Sequence, residues 1–323
     1  MFNTGIEAVD CYAPEKIITN DDLSKTLDTS DEWIFSRTGI KKRHLSTGED
    51  TSQLCTKVAE RLLAKSGTDP LEIGLIIVGT ITPDYATPST ACLVQGAIGA
   101  SNAFAFDVSA ACSGFVYALS IADKYIKSGG CKKAIVIGAE VLSKIVDWKD
   151  RSTCVLFGDG AGGVLLEGVN EGGILAEDIH SKGEDGLKMT GNERKPQNIV
   201  YNPEGENNPY LVMDGRAIFN FATRIVPKSI NEVLEKSNLK IEDIKYIIPH
   251  QANSRIIDVV AKKLNAASEK FYLNISEYAN TSAASIPMAL GEMDNKGLLE
   301  KGDKIIISGF GAGLTWGSML IEW

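Results

Sequence analysis

Of the thiol, imidazole and carboxamide of Cys112, His250 and Asn280, the first two stand where an apolar run gives way to small or polar residues. Cys112 follows Ala103-Phe104-Ala105-Phe106 and the small-residue stretch Val108-Ser109-Ala110-Ala111, and precedes Ser113-Gly114. Beyond it Phe115, Ala118, Leu119, Ala122 and Ile126 recur at helical spacing up to Gly129-Gly130, so Cys112 is expected at the first residue of an amphipathic helix. Free N–H groups and the positive end of the helix dipole favour a thiolate there, which predicts a lowered thiol pKa and a nucleophilic sulfur. A cysteine in an apolar stretch is more often a small buried hydrophobe, so the assignment depends on the rest of the chain.

The elements that must position these groups alternate. Thr51 to Ser66 has Leu54, Val58, Leu62 and Leu63 on one helical side, then the turn Gly67-Thr68-Asp69-Pro70, then the strand Leu75-Ile76-Ile77-Val78. Strand, helix and strand recur through Phe104-Ala105-Phe106, the Cys112 helix and Ala134-Ile135-Val136-Ile137. Apolar strands between helices imply a parallel-rich sheet covered on both faces. His180 to Asn208 breaks the rhythm and is expected to be a surface excursion. The pattern then resumes with helices over Phe219 to Leu234, Arg255 to Leu264 and from Ser282, and strands at Tyr246-Ile247-Ile248, Phe271-Tyr272-Leu273 and Ile305-Ile306-Ile307.

The second half repeats the first. Aligning Ile73–Ile77 with Ile244–Ile248 sets Gly79 against His250 and brings Cys112 and Asn280 to corresponding strand-to-helix junctions. In such sheets polar chemistry gathers at the C-terminal strand ends, so the three side chains are expected to converge between two halves, 1–170 and 171–323.

Composition narrows the function. With 33 basic and 42 acidic side chains the net charge is −9, which argues against general nucleic-acid binding. No apolar stretch is long enough to span a membrane and no export signal opens the chain, so a cytosolic protein is expected. Six cysteines without a C-x-x-C pair point to reduced thiols rather than zinc ligation or a disulfide framework. His44 and His180 lie among polar residues and are expected to be solvated, and Cys154 to be core. Trp33 and Arg37 lie four apart after the helix start Thr29-Ser30-Asp31-Glu32, where an indole and a guanidinium suit a nucleobase and a phosphate, or equally a core tryptophan beside a solvated arginine.

Four segments carry a resemblance: the Cys112 stretch, Pro249-His250-Gln251-Ala252-Asn253-Ser254-Arg255-Ile256, Asn280-Thr281-Ser282-Ala283-Ala284-Ser285-Ile286-Pro287, and Gly309-Phe310-Gly311-Ala312-Gly313-Leu314-Thr315-Trp316-Gly317. With Asp31-Glu32-Trp33 and Leu156-Phe157-Gly158-Asp159-Gly160-Ala161-Gly162 they closely resemble beta-ketoacyl-(acyl-carrier-protein) synthase III over nearly the full length. The resemblance implies an α/β thiolase fold, a duplicated five-layered α/β/α/β/α arrangement that forms homodimers. It implies decarboxylative condensation of an acyl-CoA primer with malonyl-acyl-carrier protein, with no metal or redox cofactor.

Carried over by residue, Cys112 resembles the acyl-accepting nucleophile, and His250 with Asn280 the pair that handles the malonyl thioester. The backbone N–H groups of Cys112 and Ala312 match the oxyanion donors. Trp33, Arg37, Arg151, Gly215, Phe219 and Asn253 match CoA-binding positions, and Arg255, Lys262 and Lys263 the basic patch for the carrier protein. Asn220 stands where members commonly carry lysine, with Arg224 nearby. Thr87 stands where acetyl-preferring members carry phenylalanine at the partner subunit's primer pocket. Alternatives are a polyketide or alkylquinolone starter enzyme, a Cys/His hydrolase and a non-catalytic carrier-binding module; 3-hydroxy-3-methylglutaryl-CoA synthase would need an acidic catalytic motif that is missing.

Overall fold

The computed structural model describes residues 3–202 and 204–323. Two twisted sheets form its frame. The first has the strand order Asn3–Tyr12, Gly160–Val169, Lys133–Glu140, Ile73–Gly79, Phe104–Val108. Its last three strands are parallel, and Gly160–Val169 runs antiparallel to both of its neighbours. The second sheet runs Tyr246–Pro249, Lys304–Gly311, Thr315–Glu322, Gly173–Ser181, with only its first pair parallel.

Two helices lie between the sheets, Gly114–Lys127 and Ser285–Asn295. Burial on both sides explains their composition: Phe115, Leu119, Ile286, Ala289 and Leu290 share one apolar core with Leu75, Ile77, Ile305 and Ile307 from the two sheets. Thr51–Ser66 and Thr90–Ala97 cover the outer face of the first sheet, and Gly215–Ser237 packs on the second beside Ser254–Lys263. The layering is therefore helix, sheet, helix, sheet, helix. Among the described residues no helix is long and apolar enough to cross a membrane.

The alternation read from the sequence is present, with three differences. Phe271-Tyr272-Leu273 makes only a bridge to Ile247 instead of a strand. The Gln251 side chain takes over the ladder's role there, donating to the Tyr272 carbonyl at 3.1 Å and accepting from the Asn274 N–H at 3.1 Å. The Cys112 helix begins one turn late, because Ala111–Ser113 forms a 3-10 turn before Gly114. The repeat register also shifts: Ala111 and Ser282 both have positive φ, 46° and 49°, and stand 32 positions after Gly79 and His250 respectively. Ala283, not Asn280, is therefore the counterpart of Cys112, although both junctions do correspond. The excursion after Ser181 is largely exposed, as expected, and is anchored by the short pair Met189–Thr190 and Val212–Met213.

Glycine sets how closely these turns approach the sheets. A Cβ on Gly79 would lie 2.6 Å from the Gly114 carbonyl carbon, and one on Gly138 only 2.1 Å from the Ala283 oxygen. Neither neighbour is a side chain that can rotate away. Gly138→Ala is expected to cost about 1–3 kcal/mol of stability, as other overpacked core positions do, read as a lower denaturant midpoint at unchanged slope. An unchanged midpoint would mean that the two halves have slack at this contact.

Candidate active site

Cys112, His250 and Asn280 line one cavity of about 190 Å³ together with Phe310 and Gly311. Each arrives on a different element and each is held by a specific partner. Cys112 sits in the 3-10 turn at the end of the Phe104–Val108 strand, where the left-handed Ala111 turns the chain sharply into the helix. Gly311 presses against it, since a Cβ there would lie 2.7 Å from the Cys112 nitrogen. That approach brings the Ala312 peptide beside the sulfur-bearing residue. The Thr315 hydroxyl tightens the same corner, lying 3.1 Å from both the Ala110 carbonyl and the Ser113 hydroxyl and 2.9 Å from the Ala312 carbonyl.

The thiol does not behave as its helix position predicts. Burial pushes the Cys112 pKa up to about 12, the Ser282 hydroxyl and the residue's own N–H pull it down, and the Glu140 charge raises it further. The helix end does favour the thiolate, but the sulfur is almost fully removed from water and the desolvation cost is larger. Burial thus favours the thiol form of Cys112.

His250 closes the Tyr246–Pro249 strand, its N–H bonded to the Ser308 carbonyl at 2.8 Å. Its ring packs edge-on against Phe310 and its Nδ1 lies 2.7 Å from the Ser285 hydroxyl. The Ser285 oxygen also accepts from the Gln251 N–H at 3.4 Å, which leaves its proton to point at Nδ1. This network assigns the tautomer: Nδ1 accepts and Nε2 carries the hydrogen. Burial holds the imidazole neutral by lowering its pKa to about 3.

Asn280 is fixed in the same manner. Its backbone is clamped between Leu156 and Gly158, and its Oδ1 accepts the Ser282 N–H at 2.8 Å. The amide N–H₂ is thus left as the free end. His250 and Asn280 each present a neutral N–H donor, and a pair of such donors stabilises negative charge developing on a thioester oxygen.

The same cavity is lined by Gly215, Phe219 and Asn253, three of the positions that the resemblance matches to CoA binding. The Asn253 side chain is already employed: it caps the Ser254–Lys263 helix and donates to the Arg37 carbonyl at 2.9 Å, joining that helix to Asp31–Thr38. At the outer end, the guanidinium groups of Arg37 and Arg151 lie 4.6 and 5.4 Å from the Trp33 ring centre. Arg151 also bonds to exposed Asp28. Arg255 and Lys262 are exposed on their helix, whereas Lys263 is tied to the Thr223 carbonyl at 2.9 Å. Asn220 and Arg224 lie one turn apart beside Asp185 and Lys188. Thr87 is exposed on its loop, outside both this cavity and the wider cleft of about 610 Å³ on the other side of the Cys112 turn.

Several residues of the site escaped sequence reading. Ser285 and Thr315 reach His250 and the Cys112 turn only through contacts made across the fold, whereas Ser282 fixes Asn280 locally, two residues away. Of the histidines outside the site, His180 is about half exposed, but His44 is mostly buried against Tyr278, with Nδ1 2.6 Å from the Pro14 carbonyl oxygen. Cys154 is core, as expected. Among the described residues no group of three or more His, Cys, Asp or Glu side chains is arranged to hold a metal ion.

Comparison with known proteins follows the same outline. The family profile "3-Oxoacyl-[acyl-carrier-protein (ACP)] synthase III" matches residues 106–183, and "3-Oxoacyl-[acyl-carrier-protein (ACP)] synthase III C terminal" matches 234–323. Beta-ketoacyl-[acyl-carrier-protein] synthase III of Clostridium tetani is 55% identical over 97% of this chain and 96% of its own length. The chain belongs to the beta-ketoacyl-[acyl-carrier-protein] synthase III family. The Streptococcus sanguinis synthase III is likewise 55% identical, over 98% of both chains. The crystal structure of 3-oxoacyl-[acyl-carrier-protein] synthase III from Aquifex aeolicus superposes with a TM-score of 0.93 at 46% identity, covering 99% of this chain and 100% of that one. The priming beta-ketosynthase of the R1128 polyketide pathway has the same TM-score, 0.93, at 33% identity, covering 99% of this chain and 96% of its own. The two-sheet, five-layered arrangement is the thiolase fold, and this synthase III family member is an acyltransferase.

Because burial lowers the imidazole pKa, His250 is expected to remain the neutral Nε2–H tautomer throughout pH 5 to 8, roughly the range in which an unperturbed histidine titrates. Nitrogen-15 chemical shifts of the ring measure this directly. Titration near the ordinary histidine value, or an Nδ1–H tautomer, would contradict the donor arrangement.

Proposed function

We propose that this synthase joins an acyl-CoA primer to malonyl-acyl-carrier protein by decarboxylative Claisen condensation, the step that initiates fatty acid synthesis. The Cys112 sulfur attacks the acyl thioester, the N–H groups of Cys112 and Ala312 stabilise the oxyanion, and CoA leaves from an acyl-Cys112 intermediate. Malonyl-carrier protein then enters. Loss of CO2 generates an enolate whose oxygen is stabilised by His250 Nε2–H and the Asn280 amide, and its carbon attacks the acyl-cysteine to release the 3-oxoacyl product. The supporting observation is that Ser285 and Ser282 occupy the inner atoms of His250 and Asn280, so both outer atoms left facing the cavity are donors. No proton needs to be abstracted from carbon, which suits an imidazole too weakly basic to do so.

In this reading Trp33, Arg37 and Arg151 hold the nucleotide end of CoA, and Gly215, Phe219 and Asn253 line the arm. Adenine would have to displace Arg151 from the indole, a small cost because its anchor Asp28 is fully exposed. Arg255 and Lys262, with Lys263, steer the acidic carrier protein, and Arg224 compensates for Asn220. The working form is a cytoplasmic homodimer of two-halved subunits, 1–170 and 171–323, in which Thr87 reaches the partner's primer pocket. It needs no cofactor and has neither nucleic acid nor membrane as a partner. The more distant likeness to a polyketide priming synthase keeps a starter-enzyme role as the second reading.

The half-reactions separate the roles. Cys112→Ala is expected to abolish covalent acylation while part of the malonyl decarboxylation persists; Asn280→Ala should retain acylation and lose decarboxylation by about a hundredfold, the scale of one oxyanion donor. Mass spectrometry of the protein and of the carrier reads both steps, and acylated Cys112→Ala protein would remove Cys112 as nucleophile. A panel of acyl-CoAs tests Thr87: chains longer than acetyl are expected to be accepted, each buried methylene adding about 0.8 kcal/mol. Thr87→Phe should shift preference to acetyl-CoA, and an unchanged chain-length profile would refute its place at the pocket.

A further inference from the structure

The N–H groups of Cys112 and Ala312 must meet at one thioester oxygen, yet neither residue stands inside a long helix or a strand. Cys112 lies in the Ala111–Ser113 turn, and Ala312 in the loop 312–314 that joins the strands Lys304–Gly311 and Thr315–Glu322. Groups that act on a reacting atom have to be held within about 0.5 Å, which loops achieve less well than strands. Thr315 supplies the strand. Its backbone is fixed in the second sheet, paired with Gly311 on one side and Ser181 on the other. Its side chain is buried, and the hydroxyl lies 3.1 Å from the Ala110 carbonyl, 3.1 Å from the Ser113 hydroxyl and 2.9 Å from the Ala312 carbonyl.

A hydroxyl has one proton and a carbonyl only accepts, so the Thr315 proton is shared between the Ala110 and Ala312 oxygens, and the Thr315 oxygen accepts from Ser113. The methyl group sets the rotamer. A Cβ on Gly313 would lie 2.7 Å from the Thr315 Cγ2, so the methyl occupies that side and the hydroxyl is left to face the Cys112 turn. The two bridged carbonyls hold equivalent places. The Ala110 C=O belongs to the peptide next to the one that carries the Cys112 N–H, and the Ala312 C=O to the peptide next to the one that carries the Ala312 N–H. One shared proton therefore ties together the neighbours of both donor-bearing peptides. His250 and Asn280 are held by other groups, Ser285 for the first and Leu156, Gly158 and Ser282 for the second.

We propose that Thr315 is the positioning residue of the oxyanion hole: by bridging the Ala110 and Ala312 carbonyls it sets the Cys112 and Ala312 N–H groups at the angle that grips the acyl thioester oxygen. This rests on the acyl-Cys112 reading above. Gly311, pressed against the Cys112 nitrogen, decides how near the two peptides come, and Thr315 decides how they are tilted. The hole is used twice, when the sulfur attacks the primer and when the enolate carbon attacks acyl-Cys112. Both acyl transfers therefore depend on Thr315. Decarboxylation does not, because its enolate oxygen lies with His250 and Asn280. Thr315 acts through two backbone carbonyls, so its effect falls on the rate of acyl transfer and not on the hold on CoA.

The test compares wild type, Thr315→Val and Thr315→Ser in single-turnover acylation by the acyl-CoA that wild type accepts best, with malonyl-carrier protein decarboxylation measured in parallel without primer. Valine keeps the shape and removes the donor; serine keeps the donor. Thr315→Val is expected to lose about tenfold to a hundredfold in acylation rate, the scale of a misplaced group, while half-saturation by acyl-CoA and decarboxylation hold. Thr315→Ser should recover most of that rate. Infrared difference spectra of acyl-Cys112, labelled with carbon-13 at the carbonyl, read the hole directly, since well-aimed donors polarise the C=O bond and lower its stretching frequency. The band should move up in Thr315→Val and return in Thr315→Ser. Should Thr315→Val fail to fold, Thr315→Ala carries the same expectations without a methyl group against the two carbonyls. A folded variant without the hydroxyl that acylates at the wild-type rate with an unmoved band overturns the proposal. So does equal loss of both half-reactions, which reduces Thr315 to a structural role. A wild-type band that matches unfolded acyl-protein overturns instead the oxyanion hole itself, and a wild-type protein that takes no acyl group from any acyl-CoA overturns the acyl-Cys112 reading.

Discussion

Direct backbone contact between the two halves is the constraint on which the site depends. The turns Ala111–Ser113 and Ser282–Ala284 pack against each other and against strand ends that carry glycine, with Gly79 facing Gly114, Gly138 facing Ala283 and Gly311 facing Cys112. Any side chain at these glycines would hold the turns apart. Because they close, the Cys112 sulfur, the Asn280 amide and the His250 ring reach one cavity from three elements. Both turns also use a non-glycine residue in the left-handed region, Ala111 and Ser282. Such residues persist only where the surroundings over-determine them, and here they stand beside reacting groups.

The closure has an electrostatic consequence. Removing the site from water penalises every charged form, so the thiol and the Glu140 carboxyl move up and the imidazole moves down. Burial thus favours the neutral forms of Cys112 and His250. Neutral donors suit an enolate, which brings its own negative charge. In the reading proposed above, the N–H groups of His250 and Asn280 act on that charge in a dry cavity with little competition from solvent.

Duplication explains why so few residue types suffice. The two turns are structural counterparts, but their contents have diverged: one presents Cys112, while the other presents Ala283 and uses its preceding residues, Asn280 and Ser282, for polar contacts. His250 occupies the position of Gly79 in the other half, at the end of the equivalent strand. One half thus contributes the Cys112 thiol on the turn after Phe104–Val108, and the other the His250 ring at the end of Tyr246–Pro249 and the Asn280 amide beside Leu156 and Gly158.

The amino-acid sequence by itself determined the alternation of helices and strands, because apolar periodicity and glycine punctuation record which faces are buried. It also marked Cys112 and His250, which end apolar runs, and Asn280 through the internal repeat and its motif. Gly215, Phe219 and Asn253 entered only through the family resemblance, and the fold brings them to the cavity that Cys112 lines. Phe271–Leu273 was misread because strand-like residues cannot reveal that the Gln251 side chain satisfies their backbone. The three-residue shift of Asn280 against Cys112 was invisible for a related reason: a turn's φ angles are set by what packs on it. Only the tertiary structure decided the charge state of the site. A helix N-terminus promised a thiolate, but the depth of the sulfur reversed the sign, and depth is a property of how the halves close. Ser285 and Glu140 were invisible because they lie far along the chain from the groups they adjoin, Ser285 35 residues from His250 and Glu140 142 residues from Ser282.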